Sequence, residues 1–259
     1  MLRNAKDLEG YELRARDGII GHVDDFFFDD RQWIIRYFVV NTGSWLESRE
    51  VLISPVSVTA PAWSERLLPV NLTREQVEKS PSVDTQQPVS REHEVALMQY
   101  YNWPAYWGAA GFPDAGFGMP FVPVVPPGYE AAMAARKAEH ATPPSMVHED
   151  HHMRSVRAVT GHSIEATDGT IGHVDDFLID DQSWQIRYLV VDTRNWWPGK
   201  KVLLAPNWIN EVGWSEALVR VGHSREEIKS SPAYDPKKPL AREYLDQLHQ
   251  HYDRPPPLH

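Results

Sequence analysis

The chain has 259 residues and a formal net charge of −10, with acidic residues outnumbering basic ones in every segment distinguished below. That balance argues against nucleic acid or anionic lipid as a partner. There is no cysteine, which excludes disulfides, thiolate nucleophiles and cysteine zinc sites and fits a reducing compartment. The N-terminus, Met1 to Gly18, shows no signal peptide, and no apolar run of about 20 residues marks a spanning helix. The expected address is the cytoplasm.

Residues 1–9 read as a short lead-in. Tyr11 to Arg16 alternates loosely and stops at Asp17-Gly18, a hairpin turn signal. Ile19 to Phe28 is the second predicted strand. It holds Gly21-His22-Val23-Asp24-Asp25-Phe26, and the parity of its apolar residues shifts across the two aspartates, which predicts a bulge. Trp33 to Val40 is rich in β-branched and aromatic residues and is the strongest strand. Val51 to Ile53, Val56 to Thr59 and Leu67 to Leu72 complete about six. Regular short strands separated by turns indicate a small closed barrel or a sandwich, and with no helix between strands the sheet should be antiparallel. A capping-box pattern at Thr73 to Gln76 opens a helix limited by Pro81, and a second helix runs from about Ser90 to Tyr101.

All of this occurs twice. Gly172-His173-Val174-Asp175-Asp176-Phe177 repeats the hexapeptide at an offset that holds without insertion from Gly10/Gly161 to Pro104/Pro255. Roughly 40 of about 95 aligned positions are identical, which identifies a duplication. The predicted organisation is a first domain at 1–103, a linker rich in Pro, Gly and aromatics at 104–152, and a second domain at 153–259 ending in a Pro-rich tail. The fold class is mainly β: two small antiparallel barrels with short C-terminal helices, which the repeat suggests pack as a pseudo-symmetric pair. A homo-oligomer remains open.

The motif set D-G-x-I-G-x-V-D-D-F, W-x-I-R-Y-x-V-V-[ND]-T and V-L-[IL]-x-P resembles the PRC-barrel family, in both copies. The family is named for the cytoplasmic barrel of the photosynthetic reaction centre H subunit, and a similar barrel forms part of a ribosome maturation factor. The resemblance implies a β-barrel that binds or assembles other proteins without catalysis.

Read from the residues alone, Gly21 and Gly172 allow a tight bend, and Asp24, Asp25, Asp175 and Asp176 satisfy turn amides or face solvent. Arg36 and Arg187, inside the strongest strands, need a carboxylate, which Asp24, Asp25 or the Asn41/Asp192 loop can supply. Trp45, Trp196 and Trp197, in the loops before the V-L-[IL] strands, either close a barrel end or anchor a partner. No catalytic, cofactor or metal residue is assigned. The competing expectations are a metal-dependent enzyme or metal-binding protein built on His22, His173 and the adjacent aspartates, and a peripheral component of a photosynthetic or other membrane complex. Histidines 140, 148, 151, 152, 249, 251 and 259 lie outside the barrels, where flexible segments do not preorganise ligands.

Overall fold

A computed structural model describes residues 1–47, 49–81, 89–106, 153–193 and 199–253. The described residues of 1–103 and 153–253 belong to one compact unit. From residue 107 to 152 the predicted linker lies outside the described residues, as do Trp196, Trp197 and the Pro-rich tail from 254.

The first half contributes β1 (Leu2–Asn4), α1 (Ala5–Leu8), β2 (Glu12–Ala15), β3 (Gly18–Asp29), β4 (Ile34–Asn41), β5 (Glu50–Ile53), β6 (Leu67–Pro69), α2 (Arg74–Glu78) and α3 (Arg91–Tyr101). The second contributes β7 (Met153–Ser155), α4 (Val156–Val159), β8 (Ser163–Ala166), β9 (Gly169–Asp180), β10 (Ile186–Asp192), β11 (Lys201–Leu204), β12 (Ile209–Gly213), β13 (Leu218–Val221), α5 (Arg225–Ser230) and α6 (Arg242–His251). The capping boxes form at both predicted places: Thr73 with Gln76 starts α2, and Ser224 with Glu227 starts α5. Asp17 accepts from Arg74 N at 2.8 Å and Asp168 from Arg225 N at 2.7 Å, so each hairpin turn also holds a helix N-terminus.

The strands form two sheets, of six and seven strands, in the orders β5-β4-β3-β2-β6 and β11-β10-β9-β8-β13-β12. The expectation of closed antiparallel barrels is corrected in two respects. The sheets are mixed, because β2 pairs parallel with β6 and β8 with β13. The absence of intervening helices constrains only consecutive strands, whereas β2 and β6 are separated by three others. The sheets are also open. In the second, Tyr234 N donates to Lys201 O on β11 (2.8 Å), covering one end, while β12 ends the other. The predicted strand at Val56–Thr59 is instead a 3-10 turn, Pro55–Ser57, capped by Ser54, with Val58 bridging Val70. Proline there supplies a fixed φ and no N–H, which suits a helical first turn and not a ladder.

Each sheet takes one strand from the other half. β1 pairs with β9 (Leu2↔Asp180, Arg3↔Ile179, Asn4↔Leu178), and β7 pairs with β3 (Phe27↔Ser155, Phe28↔Arg154, Asp29↔Met153). Between them the halves exchange backbone bonds at related positions: Ile35 N to Trp184 O (2.9 Å) and Ile186 N to Trp33 O (2.7 Å). One apolar cluster runs through both halves, with Phe28 and Phe177 6.0 Å apart. This explains the loss of alternation late in β3, where Asp25 to Asp29 are all buried. There the strand is covered on both faces.

Candidate functional site

The repeated Asp-Asp pairs sit where the halves interlock. On β3 the register passes from Val23↔Val40 to Asp25↔Val39, and on β9 from Val174↔Val191 to Asp176↔Val190. Asp24 and Asp175 are therefore the extra residues of two bulges, at the place where the apolar parity breaks. The bulge turns both aspartates toward the lead-in of the opposite half.

Asp25 is buried. Its Oδ1 accepts from Phe26 N (2.7 Å) and from Arg157 N (3.1 Å) at the start of α4, and its Oδ2 accepts from Ser155 Oγ. Asp24 Oδ2 pairs with Arg157 Nη1 at 3.0 Å. The related site is built alike: Asp176 Oδ1 accepts from Phe177 N (2.8 Å) and Lys6 N (3.2 Å), and Asp175 pairs with Lys6 Nζ (3.0 Å) and Lys201 Nζ (2.6 Å). Each buried aspartate thus satisfies an otherwise orphaned N–H in the first turn of the partner half's short helix. One turn further, Asp30 pairs with Arg154 Nε and Asp181 with Arg3 Nε, both at 2.9 Å. Every one of these ion pairs except that with Lys201 crosses between halves.

Burial raises the pKa of Asp25, against the pull of its hydrogen bonds from Ser155, Phe26 and Arg157. Burial likewise lifts Asp176 to about 6. Burial also acts upward on Asp175, but Lys201 and Lys6 together outweigh it and hold that carboxyl below the usual range.

The shift on Asp176 predicts a pH dependence. An acid whose folded pKa is raised contributes stability that is complete below the unfolded value of 3.8 and is lost as pH rises through about 6. Ionising Asp176 in the fold at neutral pH therefore costs about 3 kcal/mol. Asp176→Asn keeps an acceptor for Phe177 N and Lys6 N without the charge. It should stabilise the chain by about 1–3 kcal/mol at pH 8 and by little at pH 4. Urea unfolding at both pH values measures this, and an equal difference at the two would sink the assignment.

Gly21 and Gly172 lie against the ends of β4 and β10. A Cβ at Gly21 would stand 2.8 Å from Asn41 C and 2.9 Å from Thr42 Cα, and closer still to Asn41 O. At Gly172 it would stand 2.9 Å from Asp192 C, on a backbone with φ +88°. Only a hydrogen fits.

The other expected site residues lie outside these ion pairs. Arg36 is buried, and its Nη2 donates to Gln32 Oε1 in the preceding turn; Asp24 and Asp25, two of the groups offered as its partners, are engaged by the other half. Arg187 is half-buried and forms no ion pair among the described residues. Trp45 is half-buried; its Nε1 donates to Ile20 O and Arg74 lies over its ring at 4.3 Å, so the loop is tied to its own sheet. His22 is exposed and His173 half-buried. Among the described residues no three His, Asp or Glu side chains are grouped to hold a metal.

Sequence reasoning missed Lys6, Arg157, Ser155 and the arginines Arg3 and Arg154. The signal was present: the constant offset continues back past Gly10 and Gly161 to align Arg3 with Arg154 and Lys6 with Arg157. No helix of the described residues is long and apolar enough to cross a membrane. No curated protein matches the chain. Residues 2–63 match the family model of the PRC-barrel domain, so the first half carries one PRC-barrel domain, and the second half folds into a similar sheet that the match does not assign.

Proposed function

We propose that the chain is a non-catalytic adaptor or assembly module that holds a protein partner. The observation that carries this reading is the engagement of the Asp-Asp pairs. The carboxylates that a hydrolytic or metal-dependent reaction would need are consumed in fastening one half to the other. A carboxylate that caps a buried helix N-terminus has its lone pairs aimed at fixed donors, which leaves little freedom to ligate a metal or move a proton. The match of residues 2–63 to a family of small binding modules supports the same conclusion.

The test uses the untagged, purified chain and its native lysate. Stoichiometric recovery of one protein on the immobilised chain, undiminished by chelator, is the expected result. Bound metal in the purified chain, with a hydrolytic activity that disappears in His22→Ala and His173→Ala, would overturn the proposal in favour of a metalloenzyme.

A further inference from the structure

The two halves carry related surfaces, and one of them is open. A cleft of about 280 Å³ lies between Asp30 and Trp33 of the first half and Ile209, Glu211 and Trp214 of the second. At the related place, Trp184 is only 7% exposed, its ring 6.3 Å from Trp63 and 4.8 Å from Phe38. Divergence of two core residues accounts for the difference. Trp33 stacks on Phe28 (5.3 Å, 26°) and makes no ring pair with Trp214 among the described residues. The position related to Phe28 is Ile179, which offers Trp184 no ring, and the position related to Phe38 is Leu189, which offers Trp33 none. The indoles therefore lean in different directions.

The sheet edge beside the cleft differs as well. β12 ends its sheet, and no strand pairs with its outer edge among the described residues. The related stretch of the first half contains Ala60-Pro61 where β12 has Glu211-Val212. Proline is a common block to strand addition, and only the second half lacks it. The cleft carries Asp30, which pairs with Arg154, and Glu211, which shares Arg220 with Glu165 and Glu216, so four carboxylates meet two guanidiniums at and beside it. Glu211 is the most exposed of them, at 65%. An indole at each of the two related places already takes a guanidinium group: Arg154 lies 4.3 Å over Trp214 of the cleft, and Arg3 lies 3.8 Å over Trp63 at the closed place.

We propose that the outer edge of β12 and the adjoining cleft receive an extended basic segment of a partner protein, with a lysine or arginine side chain entering between Trp33 and Trp214. Main-chain bonds to the edge supply affinity, and the aromatic, acidic cleft selects the cation. The inference rests on the adaptor reading and adds the chemistry of the partner.

The test titrates the full chain, by calorimetry, with a capped peptide alternating valine and lysine and with its glutamate counterpart. The lysine peptide should bind and the glutamate peptide should not. Glu211→Lys should weaken binding about tenfold or more. Val212→Pro, which copies the first half, should abolish it while circular dichroism stays unchanged. No binding of the lysine peptide at millimolar concentration, equal binding of both peptides, or binding indifferent to Glu211→Lys would each overturn the proposal. A native partner retained by the Glu211→Lys and Val212→Pro chains would likewise overturn it while leaving the adaptor reading intact. Failure of the wild-type chain to retain any protein would instead remove the adaptor reading itself.

Discussion

Gly21→Ala and Gly172→Ala should each destabilise the chain by about 3–5 kcal/mol and lower its melting temperature by about 10 °C. A Cβ at either position meets backbone atoms of the neighbouring strand end, Asn41 with Thr42 or Asp192 with Thr193, and backbone cannot swing aside as a side chain can. Relief requires separating β3 from β4, or β9 from β10, at the point where the bulge sets the register. The cost then spreads to Asp25 or Asp176, whose grip on the opposite half depends on that register. At Gly172 the positive φ adds backbone strain that alanine does not relieve. Ile19→Ala, on an exposed position of the same strand, is the control and should stay within about 0.5 kcal/mol. Thermal or urea midpoints within error of wild type for both glycine variants would show that the strand ends are looser than described.

Deleting residues 1–8 should damage the second half. The segment provides β1, which covers Leu178 to Asp180 of β9, and α1, whose Ala5 and Leu8 are buried. Its loss also leaves Asp176 buried without its partner at Lys6 N and removes Arg3 and Lys6 from Asp181 and Asp175. Burial of Ala5 and Leu8, partial burial of Leu2 and the three strand pairs together stabilise the fold by about 5 kcal/mol. Hydrogen exchange followed residue by residue should show protection lost first in β9 and β10, distant in sequence from the deletion. Loss confined to β2 and β3 would mean that each half folds on its own lead-in and that the exchange contributes little. The reciprocal pairing makes the outcome specific, because an unexchanged fold places the damage in the first half.

Several features of the site were legible in the residues. The parity shift across Asp24-Asp25 and Asp175-Asp176 located both bulges, because a period of two cannot absorb an extra residue unnoticed. The capping boxes at Thr73 and Ser224 were legible for the same kind of reason: a side chain that satisfies a backbone group three residues away is a local event. What the aspartates bond to was not legible. Lys6 and Arg157 lie far from their partners along the chain, and a carboxylate in a bulge looks the same whether it faces water, a metal or another half's helix. Asp24 and Asp25, two of the carboxylates expected for Arg36, are engaged across the interface instead.

The duplication, the positions of β2 to β5 and β8 to β11, and the bulges follow from composition and spacing, which are properties of a stretch taken alone. Whether the sheets close, which strands run parallel, and that β1 and β7 change places depend on contacts between residues remote in sequence. Those are set by competition for strand edges and buried surface, and that competition is decided only when the whole chain is folded. The cleft at Trp33 shows the limit most directly: two related halves give one closed and one open surface, because Phe28 and Phe38 have no aromatic counterparts in the second half.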